Sequence, residues 1–222
     1  MTCVLNRLEG YNDVGQDNKL SKYDALLLAF REDKVWNLTY KLGLPVDSLG
    51  NPVNAQTQHP SDNAFVIVYN QNQTDILASI IGKTLIHEAF HAYLSQKAFK
   101  TWGSLNPAKW INDTKDLTLA ELFTYIEVTE NKSMNDISHN FMAVNIDRMI
   151  PVLQEFIDPN NTLNLPYDAY VGLMLQGLQE SKYYKDNILN SAETRNYEGE
   201  ILSLKDYFTK ISVKASLPLN CN

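Results

Sequence analysis

His87, Glu88 and His91 stand in the order His-Glu-x-x-His, inside Thr84-Leu-Ile-His-Glu-Ala-Phe-His-Ala-Tyr93. In a helix, residues four apart lie one turn apart on one face. Two imidazoles so placed can reach one metal ion at about 2.0 Å each. Glu88, directly after the first imidazole, can hydrogen-bond a water held by that ion. A bound zinc lowers the pKa of such a water from 15.7 to about 7. Glu88 can then take its proton as general base and pass it to a leaving amine. By chance the pentapeptide arises in about one chain per few hundred of this length. The motif falls mid-helix, with small Ala89 and Ala92 beside the imidazoles.

A catalytic zinc needs a third protein ligand and one open position. The chain has four histidines, which leaves His59 and His139. His59, in Gln58-His59-Pro60, reads as a surface loop residue. His139 follows the turn-like run Asn135 to Ser138 and reads as the opening of a helix, a firm base for aiming a ring. It is the favoured third ligand. Glu121 is its rival, but Thr118 and Glu121 already fit the Thr-x-x-Glu pattern of a helix-capping box. Glu127, Glu130 or Asp136 could steady a ligand imidazole from behind. The sequence holds neither a Gly-rich phosphate loop nor a nucleophile elbow. Met142 and Met149 read as core, and Tyr167, Tyr170, Tyr183 and Tyr184 as packing residues.

The element that must carry the motif is a long helix ending near residue 99, capped by Thr74 or Asp75. Its apolar positions run from Ile76 and Leu77 through Ile80, Ile81, Leu85, Ala89 and Phe90 to Leu94. They are nearly two-sided, as in a buried central helix. Residues 63–69, Asn-Ala-Phe-Val-Ile-Val-Tyr, form the clearest strand. This strand, or one beside it, could line the cleft as an edge that pairs with an extended substrate.

Around these, residues 1–55 read as one or two helices, including 23–36, followed by turns. Residues 44–60, broken by Gly50, Pro52 and Pro60, read mostly as loop. Further on the expectations are a loop at 102–116, a helix at 117–129 and a loop at 131–138. A helix over 139–156 would be disturbed by Pro151. A loop at 158–166 and a helix at 167–184 follow, then a weakly patterned C-terminal stretch. The fold class expected is α+β, predominantly helical, with a small sheet on the long His-Glu-x-x-His helix. The 222 residues suit one domain: an N-terminal helical and loop region (1–60), a metal-site core (61–186) and a C-terminal extension (187–222).

Hydrophobic residues at 44% and charged residues at 20% are ordinary for a folded chain. The net charge of −7, with Lys and Arg scattered singly, argues against nucleic acid as a partner. No apolar run is long enough to span a bilayer, and no signal peptide is read. The chain is expected in the cytoplasm, or exported as part of a longer protein. Cys3 and Cys221 are either two unrelated thiols or a disulfide joining the termini, which would need an oxidising compartment.

The stretch Ile80-Ile-Gly-Lys-Thr-Leu-Ile-His-Glu-Ala-Phe-His-Ala-Tyr-Leu94 resembles the active-site helix of SprT-like zincin metallopeptidases. It is most like a Bacteroidetes-type group often found at the ends of larger secreted or toxin-like proteins. Three further stretches share the resemblance: Ser138-His139-Asn140-Phe141-Met142-Ala143, Gly172-Leu-Met-Leu-Gln-Gly177-Leu-Gln, and the opening Cys3-Val-Leu-Asn-Arg-Leu. Asn140 stands where the SprT pattern has Gly, and no Cys-rich zinc ribbon follows. The resemblance implies a zincin-like fold with Zn²⁺ on His87, His91 and His139, Glu88 as base, and a protein or peptide substrate. Two alternatives remain: a non-catalytic zinc-binding or interaction module on the same scaffold, and a toxin or effector peptidase domain of a larger protein.

Overall fold

The computed structural model describes residues 2–8, 21–31, 35–47, 49–61, 63–73, 76–102 and 134–219. The fold is α+β, with a small mixed sheet and a larger helical part. The predicted helix at 117–129, with Thr118, Glu121 and Glu127, lies outside the described residues, as do Glu130, Thr74 and Asp75.

Three strands form the main sheet: β1 (Asn37–Gly43), β2 (Ala55–Ser61) and β3 (Ala64–Asn70), in the order β1-β3-β2. β3 is the predicted Phe-Val-Ile-Val-Tyr strand. It pairs parallel to β1 (Tyr40 opposite Ile67) and antiparallel to β2 (Thr57 opposite Ile67). Being central, it is buried on both faces, which explains its unbroken apolar run. This corrects the expectation that 63–69 could itself be the substrate-facing edge; the edge beside the helix is β2. The loop expected over 44–60 is corrected for its last third, which is β2. Pro60 is tolerated because the ladder slips between Gln58 and Ser61, where its missing N–H leaves no rung broken. β1, also unforeseen, alternates half-buried Leu38 and Tyr40 with exposed Thr39 and Lys41.

α1 (Thr2–Leu8) and α2 (Lys22–Arg31) precede the sheet. Phe30 of α2 meets Phe65 edge-on and Trp36 stacks on it, both at 5.5 Å between ring centroids, which joins α2 to the sheet. Cys3 of α1 is disulfide-bonded; Cys221, the chain's other cysteine, lies outside the described residues.

The long helix α3 (Ala78–Trp102) is buried without interruption from Gly82 to Ala92. It packs on β2 and β3 on one side and on α1, α2 and the later helices on others. That two-sided burial is what its apolar pattern predicts. Its start is tied to the chain's end: Leu217 N donates to Ser79 Oγ at 2.7 Å.

The predicted helix over 139–156 is two helices, α4 (Met134–Val144) and α5 (Ile146–Ile157). Asn145 separates them, its backbone at φ −108° and ψ 30° outside the helical range and its side-chain amide bonded to the Phe141 carbonyl. Pro151 sits inside α5. The loop expected at 131–138 is corrected in its second half, since α4 begins at Met134. Buried Ile137 and Phe141, four apart, give that segment its inward face. Met142 and Met149 are core, as read.

The helix predicted over 167–184 also divides. α6 (Tyr167–Leu175) ends at Gln176, and a turn through Gly177 leads to α7 (Lys182–Tyr184), continued by a π-helical turn, Lys185–Leu189. The C-terminal stretch holds a hairpin of β4 (Thr194–Tyr197) and β5 (Glu200–Ser203), then α8 (Leu204–Ser212). Glu198 and Gly199 turn the hairpin with φ of 52° and 92°, the left-handed pair that a tight two-residue hairpin needs. α6 is buried between α5 and α8. No helix among the described residues is long and apolar enough to cross a membrane.

Candidate metal centre

α3 supplies two imidazoles from one face, one turn apart. α4 supplies a third from across the helix interface. His91 Nε2 lies 3.1 Å from His87 Nε2, and His87 Nε2 lies 3.2 Å from His139 Nε2. The three ligand atoms all lie within 4.8 Å of one another. Two nitrogens bound tetrahedrally to one zinc, at about 2.0 Å each, stand about 3.3 Å apart. The donor set suits zinc, and the separations of His87 from the other two imidazoles match that value. His87 and His91 are buried and His139 is half-buried. His139 sits six residues into α4 rather than opening a helix, so the anchoring expected from a helix start comes from mid-helix packing instead.

Burial is the main cause that depresses all three imidazoles. His87 is pushed down further by His91, His139 and Lys83, and His91 by His139 and His59. For His139, Asp136 and Glu180 oppose the effect of burial. Neutral imidazoles carry the lone pairs that metal ligation needs. Asp136, one of the predicted supports, thus bears on His139 through its charge; Glu180 does the same and was not foreseen.

Glu88 is buried and its carboxyl is pushed up to about 7 by burial, opposed by hydrogen bonds from Thr57 and by the charge of Lys83. Thr57, on the edge strand β2, places its Oγ1 2.7 Å from Glu88 Oε2 and 2.9 Å from the Glu88 backbone carbonyl. Two residues on, His59 rests its ring edge-on against Phe65, 4.3 Å between centroids. It is exposed, as expected, but on a strand and near enough to His91 for its charge to act there.

Besides Glu180, three residues of this environment escaped the sequence reading. Lys83, one turn before His87 on the same face of α3, is buried and reaches the Gln176 carbonyl at 3.4 Å. Burial pulls its ammonium down to about 8, against the attraction of Glu88. A lone lysine within Ile80-Ile-Gly-Lys-Thr-Leu-Ile86 was the signal that could have found it. Gly177 passes close over His87: a Cβ there would stand 3.4 Å from His87 Cε1 and Nδ1. That Nδ1 is buried and has no hydrogen-bond partner among the described residues. Thr57 gave no signal, lying in a polar run read as loop. Comparisons with family models, with curated proteins and with solved structures return no match.

Proposed function

We propose that this chain is a zinc-dependent metallopeptidase with a zincin-like fold, acting on a protein or peptide substrate. The observation that carries the reading is the convergence of three Nε2 atoms, at 3.1 and 3.2 Å, beside a buried carboxyl on the same helix. His87, His91 and His139 would hold the metal and leave a fourth position open. Zinc, when bound, supplies a Lewis acid that polarises a carbonyl and acidifies water. Glu88 takes the proton of the attacking water and returns it to the leaving amine. Its elevated pKa, about 7, suits a group that must both accept and release a proton near neutrality. Among the described residues β2 stands at the edge of the sheet and against α3, beside Glu88, where an extended peptide can add as a further strand.

The test is zinc content by elemental analysis, followed by cleavage of fluorescein-labelled casein with and without a chelator. About one zinc per chain, with cleavage lost on chelation and restored by zinc, supports the reading. A chain that carries no zinc and takes none up on titration overturns it. Stoichiometric zinc without hydrolysis of casein or of a random peptide library would favour the non-catalytic module.

A further inference from the structure

Thr57 makes two contacts to one residue. Its hydroxyl oxygen lies 2.7 Å from Glu88 Oε2 and 2.9 Å from the carbonyl oxygen of the same Glu88. A hydroxyl has one proton, which goes to the backbone carbonyl or to an ionised carboxylate; when Glu88 is protonated its carboxyl donates to a hydroxyl lone pair and both contacts are satisfied at once. Such a bridge fixes the side-chain torsions of Glu88 relative to α3. A free glutamate side chain has three rotatable bonds and would sample several staggered arrangements. The bridge also comes from a different element. Thr57 lies opposite Ile67 of the central strand, so its position is set by the sheet. Ile67 is fully buried, and β3 is paired on both sides, which makes that support rigid. Thr57 holds Oε2 through its hydroxyl, and its backbone N–H also bears on the Glu88 carboxyl.

We infer that Thr57 is a positioning residue for Glu88: the edge strand holds the carboxyl through Thr57 and so sets how it faces the reacting water. This rests on the peptidase reading for its functional meaning, though the contact itself can be probed without turnover. A merely structural role, satisfying a buried carboxyl, would lower stability when removed. It would not separate kcat from KM. Thr57→Ser keeps the hydroxyl, whereas the near-isosteric Thr57→Val removes it; Thr57→Ala serves if the valine variant fails to fold.

The experiment uses the full zinc-loaded chain with two readouts. One is kcat and KM on fluorescein-labelled casein. The other is the ¹³C NMR signal of the Glu88 carboxyl carbon in glutamate-labelled protein, assigned by its loss in Glu88→Gln. The expected result is a fall in kcat of about 10²-fold in Thr57→Val at unchanged KM, the cost of a base misplaced by about an ångström. The carboxyl signal moves in the same variant, and Thr57→Ser restores both. A Glu88 signal identical in parent and Thr57→Val overturns the proposal, whatever casein does. So does a moved signal with parental kcat. If the signal moves and is restored by serine while no chain cleaves casein, the Thr57 clamp stands and the peptidase reading is what fails.

Discussion

The Nε2 atoms of His87 and His139 lie 3.2 Å apart, although 52 residues separate them in the chain. His87 and His91 alone would follow from helical spacing; the third imidazole needs α4 to be docked on α3. The expected consequence is that His139→Ala weakens zinc binding by more than the 10–100-fold typical of losing an outer-shell partner. Competition with a chelator measures this. Glu121→Ala, at the rival candidate, should leave zinc affinity unchanged. Zinc retained by the His139 variant and lost from the Glu121 variant would reverse the assignment.

Glu88 should separate binding from turnover. It touches Thr57 through its side chain and stands outside the imidazole trio. Glu88→Gln keeps the shape and the Thr57 contact but cannot accept a proton. Zinc content should stay at the parental level while kcat falls by about 10²–10⁴-fold, the usual contribution of general acid–base catalysis. A variant that hydrolyses casein at the parental rate would remove Glu88 from the mechanism.

The parts of the site that were legible in the sequence are those whose geometry is local. His87, Glu88 and His91 need only a helix, and the apolar run from Ile80 to Leu94 declares one that is buried on two sides. β3 was legible because a central strand is apolar on both faces. The alternation of β1 was present in Leu38, Tyr40 and Leu42, but turn formers downstream masked it. β2 had no such pattern: Gln-Thr-Gln-His-Pro is polar, and its extended form comes from pairing with β3 around an irregularity at Pro60. Helix boundaries failed where tertiary contacts decide them. Asn145 leaves the helical range at φ −108° and ψ 30°, and the next helix ends at Gln176, just before Gly177 passes over His87.

Two glycines set how closely the helices approach. A Cβ on Gly82 would fall 2.0 Å from Cε1 of buried Phe156, so α3 and α5 touch through that gap. A Cβ on Gly172 would fall 2.4 Å from the Phe208 backbone carbonyl of α8. Alanine gains about 1 kcal/mol of helix propensity over glycine, but overpacking costs about 1–3 kcal/mol. A ring can swing aside at some cost; a helix carbonyl moves only with its helix. Gly82→Ala should therefore lower urea-unfolding stability modestly, and Gly172→Ala more. Equal or improved midpoints in both would show that these interfaces yield freely.

Lys83 makes stability depend on pH in a direction opposite to that of a salt-bridged lysine. Its ammonium is buried, with the Gln176 carbonyl at 3.4 Å and the charge of Glu88 in range. The folded pKa of about 8 lies below the ordinary 10.5. Between those values the unfolded chain binds more protons than the folded one, so stability rises with pH across that window. Below pH 8 the folded state bears the cost of a buried charge; above about 10.5 neither state does. A shift of this size corresponds to about 3 kcal/mol. Lys83→Met keeps the stem and removes the titration. In chelator, to exclude metal effects, the parent should gain stability relative to Lys83→Met from pH 8 to 10, and the variant should be the more stable at pH 7. Taking the difference between the two chains cancels the tyrosines, whose raised pKa values act oppositely near pH 10 and above. Parallel urea-midpoint curves for parent and variant would mean that the Lys83 ammonium is solvated in the folded protein.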